Sequence, residues 1–498
     1  MNHHFNLIDE AWIPIADAGL VSLKEIFDNK NLKTIGGNAV QKISLLRFFL
    51  AIAQAACTPE DDKAWADLTS HGMAQLCLGY LDDKKELFNL YGDKPFLQMP
   101  VLKEKNTKIQ PYYVLLPELA SGNTTVLFDS QMDNEMTDAQ KALLLLRIGG
   151  FATSGKQVDN TIILSSTYKG KTKDNGKATS GKFGPSLAFQ GLQHHFWQGR
   201  TLKETIYQNL FTSQDIQNMG IFMTGLGIPP WEKMPESEDD DTAKTLLSSY
   251  LGRLMPLSRF VLLAESGVYY TEGLAYPNYA EGIWDPSIAI DSTQKKIKTL
   301  WVSTDKKPWR SISSFLSFLD SEKESFTNFQ LKLPFRRIKK HCDITGIWAG
   351  GLKVSSNAGE QYCSGTDDYI ASLILLDPKQ MGGTWFPSVK SALATIDSHS
   401  KRLYRCLSEY NRSLRIDNKD KINKDMSLYW NQVELVFTKL IQKEINETDL
   451  DAFHNHSKKI VEQIYDASCP KQTARQLKSW AEHYPRIKKI TIEEVKVG

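Results

Sequence analysis

The stretch 38–57, NAVQKISLLRFFLAIAQAAC, constrains the fold more than any other. Its apolar residues recur at helical spacing yet spread over most faces, so the helix they form has to be enclosed on nearly every side. Enclosure of that kind needs a large surrounding domain, and 498 residues suffice for a substantial core and for two or more domains. Arg47 and Gln54 interrupt the run, and no basic region leads into an apolar one at the amino terminus, MNHHFNLIDEAWIPI. The stretch therefore reads as a core helix of a cytoplasmic protein with no membrane segment. Apolar residues at 41% and charged residues at 24% fit a globular chain and exclude a disordered one. The formal net charge is only +2, so any nucleic-acid site must be a local patch. Six cysteines lie far apart with no CxxC pair, which signals neither a zinc ribbon nor a disulfide framework and fits a reducing compartment.

On either side of that helix the pattern is mixed. Residues 5–15 read as a short strand stopped by Pro14, and 21–27 as a short helix with Ser22 as N-cap and Glu25 three residues on. Residues 85–90 read as the end of a further helix, and 100–125 as irregular. The run MTDAQKALLLLRIGG predicts a helix capped by Thr137 and stopped by Gly149. Residues 187–196 alternate, 201–210 return to helical spacing, and 259–263, 298–303 and 369–376 read as strands. The last quarter changes character. Val389, Leu393, Ile396, Leu403, Leu407 and Tyr410 form one helical stripe, and Tyr429, Val433, Val436 and Leu440 a second. Phe453, Ile460 and Ile464 make a third, and Leu477, Trp480 and Tyr484 a fourth. Such stripes bury one another most simply as a bundle. The expected architecture is α+β, with a large mixed α/β domain over residues 1–380 and a carboxy-terminal four-helix bundle over 383–498.

One stretch points toward a partner. Residues 168–184, YKGKTKDNGKATSGKFG, carry Lys169, Lys171, Lys173, Lys177 and Lys182 against the single acid Asp174, with Gly170, Gly176, Gly181 and Gly184 between them. Lysines neutralise phosphates and glycines let backbone approach them, so the composition points to a polyanion-binding loop; a solvated linker is the plainer alternative. The acidic run PESEDDD at 235–241 reads as a solvated linker, because like charges at that density repel and stay exposed. KLPFRRIKKH at 332–341 is a second basic cluster with Phe335 inside it, suited to nucleic acid or equally to a charge-protected edge strand.

Catalytic patterns are missing from the sequence. His454 and His456 are two apart and point different ways on a helix, which reads as a surface location for both. His194 and His195 have no acidic neighbour at ligand spacing, and Asp367 and Asp368 read as a capped turn. There is no GxxxxGK[ST], GxSxG or HExxH. The chain is expected to be no enzyme and to need no metal or cofactor.

Taken together, FNLIDEAWIPI, SLKEIF, the PFLQ at 95–98, the SGNTTVLFDSQ at 121–131 and the terminal bundle resemble, in that order and across essentially the whole length, the CasA family. Its members are the large subunit of the type I-E CRISPR surveillance complex, Cascade. The resemblance implies a non-enzymatic subunit that holds the 5′ handle of the guide RNA (crRNA) and recognises the protospacer-adjacent motif (PAM) in duplex DNA. It further implies help in starting strand separation for the R-loop, contacts with the other Cascade subunits, and a platform for a helicase-nuclease.

By the same resemblance the handle- and PAM-contacting loop falls on Leu127, Phe128 and Asp129, with Phe128 placed to stack on a base. The family's glycine loop falls within 169–181, bringing in Lys169, Gly170, Lys171, Lys173, Lys177 and Gly181, with Lys182 just beyond. Its wedge, a small polar hairpin tip, falls on Ser356, Asn357 and Ala358, where Asn357 stands in place of the common glutamine. The family's lysine finger has no counterpart, since YYTEGLAYPNYAEGIW at 269–284 contains no lysine, and the cysteine-rich insertion of some members is missing. Two rival classes stay open: a general RNA- or DNA-binding scaffold outside CRISPR, told apart by PAM preference, and a nuclease, told apart by metal-dependent cleavage.

Overall fold

The structure, a computed structural model, describes residues 4–487 apart from 106, 116–135, 152–160, 171–190, 278, 280–283, 294, 321, 358–359 and 363–367. The helix Ala39–Cys57 is the centre of the larger unit. Asn38 and Gln41 cap it reciprocally, and fourteen of its residues are buried, among them Phe48, Phe49, Leu50 and Ile52. Among the described residues it is the one helix long and apolar enough to cross a membrane, and it is mostly buried inside the protein. Both polar residues that interrupt it are satisfied internally. Arg47 pairs with Asp285 and donates to the carbonyls of Arg253 and Leu254, while Gln54 exchanges two hydrogen bonds with the backbone of Phe211, at 2.8 and 3.1 Å. Phe48 sits in an aromatic cluster with Phe88, Phe96 and Trp231.

The amino-terminal segments lock onto this helix. Trp12 is buried and donates to the Leu7 carbonyl at 2.8 Å. The expected strand is shorter than residues 5–15. Ile13–Ile15 pairs antiparallel with Gly19–Val21, and Pro14 lies inside it opposite Leu20 rather than ending it. Pro14 has no N–H to donate, and its carbonyl accepts from Gly36 N at 2.8 Å. The helix Leu23–Asp28 starts with the expected Ser22–Glu25 capping box. The PFLQ motif is internal. Gln98 donates to the Leu90 carbonyl and accepts from Leu263 N, both at 2.8 Å, and so ties the turn to the strand Arg259–Ala264.

That strand pairs with Gly267–Glu272, which in turn pairs with Ile109–Gln110. A second antiparallel group has the order Tyr369–Leu376, Thr345–Leu352, His194–Gln198. The helix Asp138–Phe151 does start at Thr137 but runs through Gly149. A Cβ at Gly149 would lie 2.4 Å from the Pro256 carbonyl oxygen, so this glycine serves close packing and not termination.

The smaller unit comprises residues 316–324 and 374–498, the larger one the remainder. Its helices are Trp385–Leu414, Lys419–Ile441, Glu447–Ser468 and Ala474–Glu482. The stripe residues Val389, Leu393, Ile396, Leu403, Leu407 and Tyr410 are all buried. In the second helix Phe437 takes the core place and Val436 is half-buried. His454, expected at the surface, is 8% exposed, with its ring 4.9 Å from that of His399. The fourth helix has nine residues and Leu477 is exposed; it attaches through Trp480, whose carbonyl accepts from the Tyr465 hydroxyl at 3.1 Å.

Candidate nucleic-acid interface

Of the predicted contact residues, the structure describes Lys169, Gly170, and the backbone of Ser356 and Asn357. Leu127, Phe128, Asp129, Lys171, Lys173, Lys177, Gly181, Lys182 and Ala358 lie outside the described residues. Lys169 and Gly170 are exposed. The chain just before them is firmly held. Glu238 accepts from Leu164 N with each carboxylate oxygen at 3.2 Å and from Ser165 N at 3.1 Å, and Asp239 accepts from the Thr167 hydroxyl at 2.8 Å. Tyr168 is half-buried; burial first, then the charges of Glu238, Glu272 and Asp239, push its phenol up.

These contacts correct the reading of 235–241 as a solvated linker. Glu238 is 3% exposed, and Asp240 is the N-cap of the helix Asp241–Ser248, accepting from Ala243 N at 2.6 Å. The carboxylates do not merely repel one another, because backbone amides and a hydroxyl take up their charge. A capping signal was present in the sequence, since Asp240 precedes the amphipathic run TAKTLL. The Glu238 contact, over 70 residues away in sequence, had no local signal.

The wedge candidate lies on a hairpin. Ser355–Asn357 pairs antiparallel with Glu360–Tyr362, and Asn357 faces Glu360 as the last pair of the ladder. The strand Thr345–Leu352 feeds it directly, with Lys353 N donating to the Asp368 carbonyl at 2.7 Å. Gly191, where the chain re-enters the described structure after the lysine stretch, sits at the root of this hairpin. Its φ is +79°, and a Cβ there would lie 2.7 Å from the Leu352 oxygen and 3.2 Å from Val354 N. Gly191 and the base of the hairpin are thus packed backbone against backbone, a junction that sequence reasoning missed.

The span holding 127–129 is fastened at both ends to one helix. Arg147 Nη2 donates to the Leu115 carbonyl at 2.9 Å, and Thr137 begins the helix Asp138–Phe151. The basic cluster 332–341 is partly structural. It is helical at Phe335–His341, not an edge strand, and Arg337 is buried and pairs with Asp62 and Asp215, both at 2.7 Å. Phe335 stacks near Trp197, while Arg336 and Lys340 remain exposed.

The adjacent histidines belong to a buried polar network. The Ser287 hydroxyl donates to Asp285 at 2.5 Å and lies 2.8 Å from His194 Nδ1, and His195 Nδ1 is 3.1 Å from the Ser287 carbonyl. Burial, then the neighbouring His194, holds His195 down to about 3, so it stays neutral. The serine here is a bridge between acid and imidazole, not a nucleophile activated by a base. Among the described residues no three His, Cys, Asp or Glu side chains gather as metal ligands.

A family model described as CRISPR-associated protein Cse1 matches residues 6–479. The CRISPR-associated protein CasA/Cse1 of Thermus thermophilus is 28% identical over 341 residues, which span 63% of this chain and 60% of that relative's length. The fold is similar to that of Thermobifida fusca Cse1, with a TM-score of 0.74 at 17% identity covering 99% and 98% of the two chains. It is similar also to Thermus thermophilus CasA, at 0.72 and 20% over 97% and 98%. A chain in a structure named "CRISPR RNA-guided surveillance complex" gives 0.67 and 15% over 97% and 99%.

Proposed function

Because the chain belongs to the CRISPR-associated Cse1 family, we propose that it is the non-catalytic large subunit of a type I-E RNA-guided surveillance complex. In this role it reads the PAM in double-stranded DNA, contacts the crRNA 5′ handle, helps nucleate the R-loop and offers a platform to the helicase-nuclease. The lysine stretch holds phosphates flanking the PAM, and the hairpin tip at Ser356, Asn357 and Ala358 enters between base pairs. Residues 127–129 contact the RNA handle, with Phe128 stacking. Base pairing with the guide then supplies sequence specificity, while this chain reads only the short flank.

The observation that best supports this reading is the packing of Gly191, seven residues after the lysine stretch in the chain, on Leu352 and Val354 at the root of the hairpin. A stretch tethered that near in sequence to the hairpin's root can act with the hairpin on one stretch of duplex. The test is the salt dependence of duplex binding. Replacing Lys169, Lys171 and Lys173 together by alanine is expected to lower the log-log salt slope by about 2 to 3 units. An unchanged slope removes the lysine stretch from the interface, and equal affinity for PAM-containing and scrambled duplexes in the assembled complex removes the PAM reading.

A further inference from the structure

The segment that delivers Lys169 is held by carboxylates. Glu238 meets two successive amides, Leu164 N and Ser165 N, and Asp239 meets the hydroxyl of Thr167, which lies 2.9 Å from that of Ser165. A carboxylate that is 3% exposed has been taken out of water, so it persists only where donors compensate it. Its two amide donors belong to the backbone, and they fix the course of the chain four residues before Lys169. The same run continues into the helix Asp241–Ser248 through Asp240, so the stem is fastened to a helix N-terminus. Ordering a cationic stretch on a polyanion costs conformational entropy, and a stretch already fixed at one end loses less.

We propose that Glu238 and Asp239 are positioning residues for polyanion binding: they hold residues 164–167 so that Lys169 is presented from a fixed stem. This rests on the reading of the lysine stretch as a duplex contact. The carboxylates themselves do not meet nucleic acid. The Glu238 carboxylate is turned inward to the two amides, which withdraws its charge from the phosphates that the basic stretch attracts.

The experiment uses the full chain and a fluorescein-labelled DNA duplex, with affinity measured across a sodium chloride series and amide exchange followed by mass spectrometry. Glu238→Gln offers an amide donor where an acceptor is needed. It is expected to speed exchange at Leu164 and Ser165 by about tenfold or more and to weaken duplex binding by about 3- to 10-fold, with the salt slope unchanged. Lys169→Ala instead lowers the slope by about 0.9. Thr167→Val removes the hydroxyl's contacts with Asp239 and Ser165 and leaves Glu238 on its amides, so it serves if Glu238→Gln fails to fold, and it should show the same pattern more weakly. Faster exchange with wild-type affinity in both variants, or unaltered exchange, overturns the proposal. If the triple lysine variant leaves the slope unchanged, the duplex reading fails and this inference falls with it. If that variant lowers the slope while Glu238→Gln and Thr167→Val bind as wild type, the positioning role alone is refuted.

Discussion

Arg47→Met tests the centre of the larger unit. The substitution keeps an unbranched chain in the core helix and removes the guanidinium that pairs with Asp285 and binds the carbonyls of Arg253 and Leu254. Asp285 is then left 4% exposed, with Ser287 N at 2.9 Å and its hydroxyl at 2.5 Å as remaining donors. Removing one partner of a buried pair costs about 3 to 5 kcal/mol. The pH dependence identifies the cause. In the wild type, burial pushes the Asp285 carboxyl up, but Arg47, then His194 and Ser287, outweigh it and bring the group to about 2, from an ordinary 3.8. A depressed carboxyl stabilises the fold above its unfolded value; here that is on the order of 2.5 kcal/mol, present above about pH 4 and lost as pH falls toward 2. Without Arg47 burial dominates and the carboxyl rises above its ordinary range. The sign then reverses, and stability is lost as pH rises through the raised value. The penalty of Arg47→Met should therefore be largest at neutral pH and shrink toward pH 4. Adding Asp285→Asn should recover a good part of it. Urea midpoints of the full chain, read by tryptophan fluorescence and compared between variants at each pH, cancel the histidine titrations common to both. A penalty below about 1 kcal/mol at neutral pH, or one that does not change with pH, refutes the reasoning.

Three further outcomes are expected. Burial, then the charges of His454 and Lys458, holds His399 down to about 4, so the helical unit should lose stability as pH falls from about 6.5 to 4, by roughly 1.4 kcal/mol per pH unit. His399→Gln should flatten that slope in acid denaturation followed by circular dichroism. Gly191→Ala meets both a left-handed φ and the Leu352 carbonyl, so it should lower thermal stability by about 1 to 3 kcal/mol and slow R-loop formation in the assembled complex. A melting curve equal to wild type would show that the junction relaxes freely. Asn357→Ala should leave assembly intact and slow R-loop formation on linear target; a normal rate would end the wedge assignment.

What could be read from the sequence was local. The core helix, the Ser22–Glu25 capping box, the start of the helix at Thr137 and most of the bundle stripes depend on residues three or four apart, and helix geometry places those together whatever the rest of the chain does. The family's motifs were also legible as strings, and within PFLQ it is Gln98 that ties the turn to the strand Arg259–Ala264. Tertiary structure alone decided which charges are internal. Arg47 meets Asp285 across 238 residues, Arg337 meets Asp62 across 275, and Glu238 reaches back 74 residues to Leu164. Composition treats each of these as a surface charge, because the desolvation that makes the pairing necessary exists only once the fold has closed around it. The same holds for Gly149, which reads as a helix stop in the sequence, and for Gly191, which carries no signal there. Each is a glycine because another segment's carbonyl occupies the space of its missing side chain.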